Sequence, residues 1–313
     1  MTLPLRPPLE PQLAISRSTL PTGTGWAYEP KLDGFRAIAF VDGDSVHLQS
    51  RGGRPLGRYF PEIEFPSGRY VADGEVVIAR GDGQDFEALQ ARIHPAASRI
   101  RRLAAETPAA YRAFDLLALD GDVLLELSFS ERRALLESRL ASGLSLLEQV
   151  TQPDAAEPWL RNGEGVIAKE LAAPYLPGRR AGMVKVKRVR TIDCVVVGYR
   201  PGKAPDTVGA LILGLYDLSG ELRVVGHASG FTAAAKRDLL GMMRPLETGE
   251  RGSADASRWT AGRELAWVSL RPELVAEVSF DHASGGRIRH GARLLRWRPD
   301  RDPRTCLLEQ MAI

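Results

Sequence analysis

The sequence predicts an α+β fold in two parts, an antiparallel-sheet domain over residues 1–190 and a small β-barrel over residues 191–313. Three observations carry this. Strand-like runs and helical stretches are mixed without the regular βαβ alternation of a parallel sheet. Hairpin signals such as "DGD" at 42–44 separate the runs. After "VKVKR" the order becomes three strands, one helix and two strands, which is the order of a five-stranded OB barrel, a fold that often handles nucleic acids.

The elements can be justified in turn. "LPLRPPLEPQLA" is proline-rich and reads as an extended strap. "WAYEP" is a short strand, and "RAIAFV" and "SVHLQSR" flank the "DGD" hairpin. Lys31 therefore ends the first strand, just before a tight turn supplied by Asp33 and Gly34. "RYVADGEVVIA", "AYRAFDLLAL" and "GEGVIAKE" read as further strands, with Asp73 given a turn role beside Gly74. "DFEALQARIH" and "FSERRALLESRLASG" read as helices, the second opened by Ser130 as N-cap. In the second part "TIDCVVVGYRP" and "VGALILGLYDLSGELRVVGHA" supply three strands. A helix near "FTAAAKRDLLGMMRPL" follows, then strands at "LVAEVSFDH" and "RLLRWRP".

Composition narrows the function classes. With 44% hydrophobic and 26% charged residues the chain is of the soluble globular kind, and disorder is not expected. No charged start precedes an apolar core, and no apolar run approaches the roughly 18 residues of a membrane span. A cytoplasmic protein with no membrane partner is expected. Cys194 and Cys306 fit neither a disulfide framework nor a CxxC zinc pattern, so two inert thiols and no structural metal are expected. The net charge is only +3, but residues 287–304 hold seven arginines against Asp300 and Asp302. That segment is either a solvated strand edge or a surface for phosphates.

The chemistry is read from the lysines. The chain has 36 arginines and six lysines, and Lys31 in "KLDGFR" is the only lysine before Lys169. An arginine stays protonated, whereas a lysine can be tuned to lose its proton and attack an electrophile. Lys185 and Lys187 alternate in "MVKVKR", which puts both on one face of a strand. An amine flanked by such ammonium groups, and buried, has its pKa lowered from about 10.4. Glu75 and Glu164 sit in otherwise apolar runs and suit Mg²⁺ or a ribose hydroxyl. Phe114 is either a core aromatic or a stacking surface for a base.

Taken in order, "KLDGFR", "SRGG", "DGE", "FDLL", "EGVIAK" and "VKVK" resemble the motifs of the covalent nucleotidyltransferases, which comprise ATP-dependent DNA ligases, RNA ligases and mRNA-capping enzymes. With "GRYFPE", "APYLPGRR" and the C-terminal "RHGARLLRWRPDRDP", the chain is most similar to the small two-domain bacterial ATP-dependent DNA ligases of the ligase C group. The resemblance implies an adenylation (nucleotidyltransferase) domain and an OB domain that uses ATP and Mg²⁺ or Mn²⁺. Lys31 would become the adenylated lysine, Glu29 would accept from the adenine amino group, and Phe114 would stack on the ring. Arg36 and Arg51 would hold phosphate, Glu75 would lie near the ribose, and Lys169 would join the nucleotide site. Glu164, with Glu75 and Asp33, would supply metal ligands. Lys185 and Lys187 would hold the α-phosphate, and Arg298 with Asp300 would orient pyrophosphate when the OB domain closes. Beyond the resemblance, the arginine-rich segment is expected to swing away once Lys31 is loaded, freeing the groove for duplex. Arg301 stands where many such ligases have lysine, and the spacing before Arg298 leaves Arg289 and His290 without a role.

The implied reaction seals nicks with 3′-hydroxyl and 5′-phosphate ends through lysyl-AMP and DNA-adenylate, in DNA repair. The partner would be nicked duplex DNA, with DNA or RNA on the 3′ side. A monomer is expected, with repair proteins as further partners and weak, salt-sensitive DNA binding. Two rivals stand beside this reading. An RNA ligase or GTP-using capping enzyme shares the core, and a non-catalytic nucleic-acid module would need only the OB fold.

Overall fold

The computed structural model describes residues 3–81, 83–254, 265–281, 283–289 and 291–311. The chain divides into two compact units, Met1–Arg188 and Val189–Ile313. The first contains β1 (Leu13–Arg17), β2 (Trp26–Pro30), β3 (Phe35–Gly43), β4 (Ser45–Ser50), β5 (Gly68–Arg80) and β6 (Gly83–Gln84). After them come α1 (Phe86–Ala91), α2 (Ala97–Glu106), β7 (Ala109–Leu119), β8 (Asp122–Val123), α3 (Phe129–Leu140), α4 (Pro153–Arg161), β9 (Gly165–Glu170) and β10 (Arg180–Lys187).

These strands form two sheets. One has the order β1-β10-β9-β2, with β1 parallel to β10 and the other pairs antiparallel. The other runs β4-β3-β5-β7-β8, with β6 on β5. β2 and β3 are neighbours in the chain but belong to different sheets, so residues 31–34 are a crossing between sheets and not a hairpin turn. Gly34 explains why. A Cβ there would run into the Val76 carbonyl oxygen and the side chains of Glu75 and Val77, so only glycine lets the crossing lie flat on β5. Residues 145–150 stitch the sheets together. Ala113 donates its N–H to the Ser145 carbonyl and accepts from the Leu147 N–H at one end, and Tyr28 and Val150 exchange backbone bonds at the other.

Each sheet has a core behind it. Tyr28, Val166, Ala168, Val184 and Val186 alternate onto the far face of the first sheet, where Ala156 and Trp159 of α4 cover them. The second sheet buries Ala39, Tyr70, Val76 and Leu116 on one face with Leu136 of α3, and Ile38, Phe40 and Leu117 on the other. Two sequence expectations change. Ser128, not Ser130, caps α3, in a capping box with Glu131. Asp73 lies within β5 and is fully buried, so it serves no turn.

The second unit contains β11 (Arg190–Pro201), β12 (Val208–Tyr216), β13 (Leu222–Ala228), α5 (Ala233–Met243), β14 (Glu247–Ala254), β15 (Leu265–Leu270), β16 (Val275–Phe280), β17 (Ala283–Ser284), β18 (Arg287–Ile288) and β19 (Arg293–Trp297). Its main sheet runs β13-β12-β11-β15-β14, with β16 bridging β11 and β19. β14, β15 and the short β17 and β18 are additional to the five strands expected, and β14, "ETGERGSA", shows no apolar alternation. Leu211, Leu213, Val225 and Leu240 lie in its core, and Cys194 and Cys306 are buried thiols there. No described helix is long and apolar enough to cross a membrane.

Candidate active site

The first unit holds a cavity of about 550 Å³ where its two sheets face each other across the 31–34 crossing. Strand register decides which side chains enter it. Glu29 of β2 pairs with Ile167 of β9, which pairs with Lys185 of β10. The next row is Ala27, Lys169 and Met183. Because side chains alternate, Glu29, Ile167, Lys169, Met183 and Lys185 all point into the cavity while the valines between them form the core behind.

Lys31 sits on the crossing. Its backbone N–H donates to the Gly165 carbonyl at 2.9 Å, and its Nζ lies 3.2 Å from the Leu32 carbonyl oxygen. The Asp33 N–H donates to Gln84, and the Gly34 N–H donates to Glu75 Oε1 at 3.0 Å. Three of the four residues of the crossing are thus fixed to different strands. Gly165 has a φ of +124°, and a Cβ there would strike the Val186 carbonyl, so glycine is required beneath the lysine as well.

The charged groups are organised in pairs. Lys169 is 3% exposed, and its Nζ lies 2.8 Å from Glu29 Oε2, 4.3 Å from the Phe114 ring centre and 4.6 Å from that of Phe129. Burial lowers its pKa, and Glu29 works against that shift. Burial likewise raises the pKa of Glu29, with Lys169 opposing. Arg36 donates from Nε and Nη2 to Asp73, both at 2.7 Å, and its guanidinium lies 4.6 Å from the Phe114 ring centre. The Tyr175 hydroxyl donates to Asp73 at 2.6 Å and accepts from the Gln12 N–H at 3.0 Å. Burial pushes the Glu75 carboxyl up to about 7, against the pull of Arg36 and Lys31. Lys185 has its pKa lowered by burial first, then by Lys187, Arg180, Arg51 and Lys31.

The sequence model of the ATP dependent DNA ligase domain matches residues 11–187, and that of the ATP dependent DNA ligase C terminal region matches residues 204–301. The chain belongs to the ATP-dependent DNA ligases. It is 46% identical to DNA ligase C1 of Mycolicibacterium smegmatis, over 99% of this chain and 96% of that one. A solved mycobacterial DNA ligase D complexed with ATP and MES is 30% identical, with a TM-score of 0.50, covering 96% of this chain and 98% of its own. A structure from a study of Lig E DNA ligases is 21% identical, covers 92% of this chain and 99% of its own, and shares the fold with a TM-score of 0.59.

In this ligase the cavity brings together Glu29, Lys31, Asp33, Arg36, Arg51, Glu75, Phe114, Lys169 and Lys185. Arg36 lines it with its charge already answered by Asp73, so it is first a fastening between strands. Lys187, at the exposed end of β10, and Glu164, just before β9, are not among the lining residues. In the second unit Arg298 donates to Asp300 and to Asp193, with Nη2 2.8 Å from Asp300 Oδ2 and Nη1 3.0 Å from Asp193 Oδ2. The Arg298 hydrogen bond pulls the Asp300 carboxyl down to about 2. Arg301 also donates to Asp193, at 3.1 Å. Arg289 is described within the second unit, whereas His290 lies outside the described residues.

Several residues of the site carry no local sequence signal. Gln12 reaches it from the proline-rich strap, and its carbonyl lies 3.4 Å from Arg36 Nη2. Arg180 and Met183 line the cavity from β10. Gln149 donates to Glu29 Oε1 at 3.2 Å from a segment 120 positions away. Among the described residues no three of His, Cys, Asp or Glu form a ready metal cage. Asp33 and Glu75 line the cavity, and Mg²⁺ binds through one or two carboxylates together with substrate phosphates and water. Glu75, held up to about 7 by burial, is an acid whose anion a cation would favour.

Proposed function

We propose that this ligase seals nicks bearing 3′-hydroxyl and 5′-phosphate ends through lysyl-AMP and DNA-adenylate, and that it serves DNA repair. One observation carries the reading. Lys31 shares a single cavity with the cations Arg51, Arg180 and Lys185 and with the Glu29 carboxylate, which is what an amine attacking an adenosine triphosphate needs around it.

In the first transfer the neutral Lys31 amine forms a P–N bond to the α-phosphorus of ATP. The bond to the bridging oxygen breaks, pyrophosphate leaves, and the amine gives up a proton. Lys185 and Lys187 hold the α-phosphate, and Arg51 and Arg36 hold phosphate oxygens. Glu29 accepts from the adenine amino group, Phe114 offers its ring to the base, and Lys169 fixes Glu29 in place. Arg298 with Asp300 orients the departing pyrophosphate. In the second transfer an oxygen of the DNA 5′-phosphate attacks the same phosphorus, the P–N bond breaks, and Lys31 regains its proton. In the third the 3′-hydroxyl attacks the activated 5′-phosphate, forming the phosphodiester as AMP leaves. Mg²⁺ or Mn²⁺ would neutralise phosphate charge, with Glu75, Asp33 and Glu164 as the carboxylates assigned to hold it.

The partner is nicked duplex DNA, with a DNA or RNA 3′ strand, and the ligase acts as a monomer with repair proteins as further partners. Exposed Arg99 and Arg101 on α2 offer phosphate contacts that salt would weaken. Labelled ATP and GTP test the reading. The expected result is a covalent AMP adduct from ATP, none from GTP, and none in Lys31→Ala. Strong labelling by GTP, or an adduct that persists in Lys31→Ala, would overturn it.

A further inference from the structure

Beside Glu29 one buried donor is set apart. Arg133 on α3 is 7% exposed, and two of its groups are fixed: Nε donates to Glu137 Oε1 at 2.7 Å and Nη2 donates to the Leu147 carbonyl at 2.8 Å. These bonds set the plane of the guanidinium. Its Nη1 is buried and makes no hydrogen bond with any described residue. It stops 3.9 Å from Glu29 Oε1, beyond hydrogen-bond reach. Buried donors of charged groups are rarely left this way, so Nη1 is a donor in want of an acceptor, although Arg133 itself is not among the residues lining the cavity. Leu147, whose carbonyl holds Arg133, lines the cavity, as does Glu29.

The acceptor half of this pair is equally fixed. Lys169 holds Glu29 Oε2 and Gln149 holds Oε1, so the carboxylate cannot turn away. The backbone following it has no donor to lend. Pro30 lacks an N–H, and the Lys31 N–H is spent on the Gly165 carbonyl. A donor for the rest of a base edge must therefore come from a side chain.

We propose that Arg133 reads the nucleobase: Nη1 donates to the ring nitrogen beside the adenine amino group while Glu29 accepts from that amino group. The proposal rests on the placement of adenine at Glu29 given above. An acceptor and a donor side by side match adenine on either edge, because its amino group is flanked by ring nitrogens that both accept. Guanine presents a carbonyl oxygen to Glu29 instead, and on one edge an N–H to Arg133. The first contact is repulsive on either edge and the second on the Watson–Crick edge, so the pair selects ATP by rejecting GTP as well as by binding adenine.

The test compares rates of lysyl-adenylate formation with ATP, 1-deaza-ATP, 7-deaza-ATP and purine riboside triphosphate, in the wild type and in Arg133→Met. In the wild type one deaza analogue should lose about tenfold or more in kcat/KM, the cost of a missing hydrogen bond to a charged donor. In Arg133→Met that difference should shrink to less than about twofold. If circular dichroism shows that Arg133→Met does not fold, Arg133→Gln, which keeps a donor for the Leu147 carbonyl, takes its place. Arg133 has no base-reading role if the wild type uses both deaza analogues as well as ATP, or if the variant slows all of them by one factor. Rejection of purine riboside triphosphate together with acceptance of both deaza analogues would leave Glu29 standing and remove Arg133. Equal use of purine riboside triphosphate, which lacks the amino group, would remove both.

Discussion

Arg36 and Asp73 meet through two hydrogen bonds of 2.7 Å across neighbouring strands, with the Asp73 side chain fully buried and the Arg36 side chain 22% exposed. The Tyr175 hydroxyl closes on the same carboxylate, and the backbone of Gln12 joins Tyr175 and Arg36 to the N-terminal strap. Asp73→Ala would strand a largely buried guanidinium. A loss of about 3 kcal/mol in urea unfolding is expected, with Tyr175→Phe costing less because the ion pair remains.

Gly34 should tolerate no side chain. In Gly34→Ala the new methyl meets the Val76 carbonyl, and the crossing that carries Lys31 must lift off β5. Overpacking of this kind costs about 1–3 kcal/mol, but the larger effect should fall on chemistry, because a displacement of the nucleophile by about 1 Å can cost about a hundredfold. Adduct formation from ATP should therefore fall far more than thermal stability does. A variant with normal adduct rates would show that the close approach is not needed.

Glu75 should leave a signature in stability against pH. Its carboxyl is raised from 4.5 to about 7, so between these values the folded chain holds a proton that the unfolded chain has released. Stability should fall as pH rises from about 4.5 to about 7 and level off above that. Glu75→Gln cannot ionise and should lack this part of the slope. Urea titrations of both proteins across that range provide the measurement, and parallel curves would assign the slope to other groups.

At the start of α3, Ser128 accepts from the Glu131 N–H while the Glu131 carboxylate accepts from the Ser128 N–H. Ser128→Ala should cost about 1 kcal/mol, and Ser130→Ala, which removes no cap, should stay within about 0.5 kcal/mol of the wild type. The comparison also bears on the site, since α3 carries Arg132 and Arg133. Arg132 is 1% exposed and pairs with Asp115 at 2.7 Å.

The sequence by itself determined the parts and the chemistry they can do. Period-two alternation is local, so "MVKVKR" already placed Lys185 and Lys187 on one face and the valines on the other. Residue choice is local too, and a lysine in an arginine-rich chain marked Lys31 as the amine. Only the tertiary structure decided what those parts meet. "DGF" after Lys31 looks like a turn, but burial of two separate sheet faces makes it a crossing, and the need for glycine comes from β5, 42 positions away at Val76. Asp73 resembles turn chemistry until its partner Arg36, 37 positions earlier, is brought beside it. Gln149 reaches Glu29 across 120 positions, from a segment with no motif of its own. Backbone conformation follows from a few neighbouring residues, whereas the pairing of buried charges follows from which faces are desolvated together, and that is settled only when the whole unit closes.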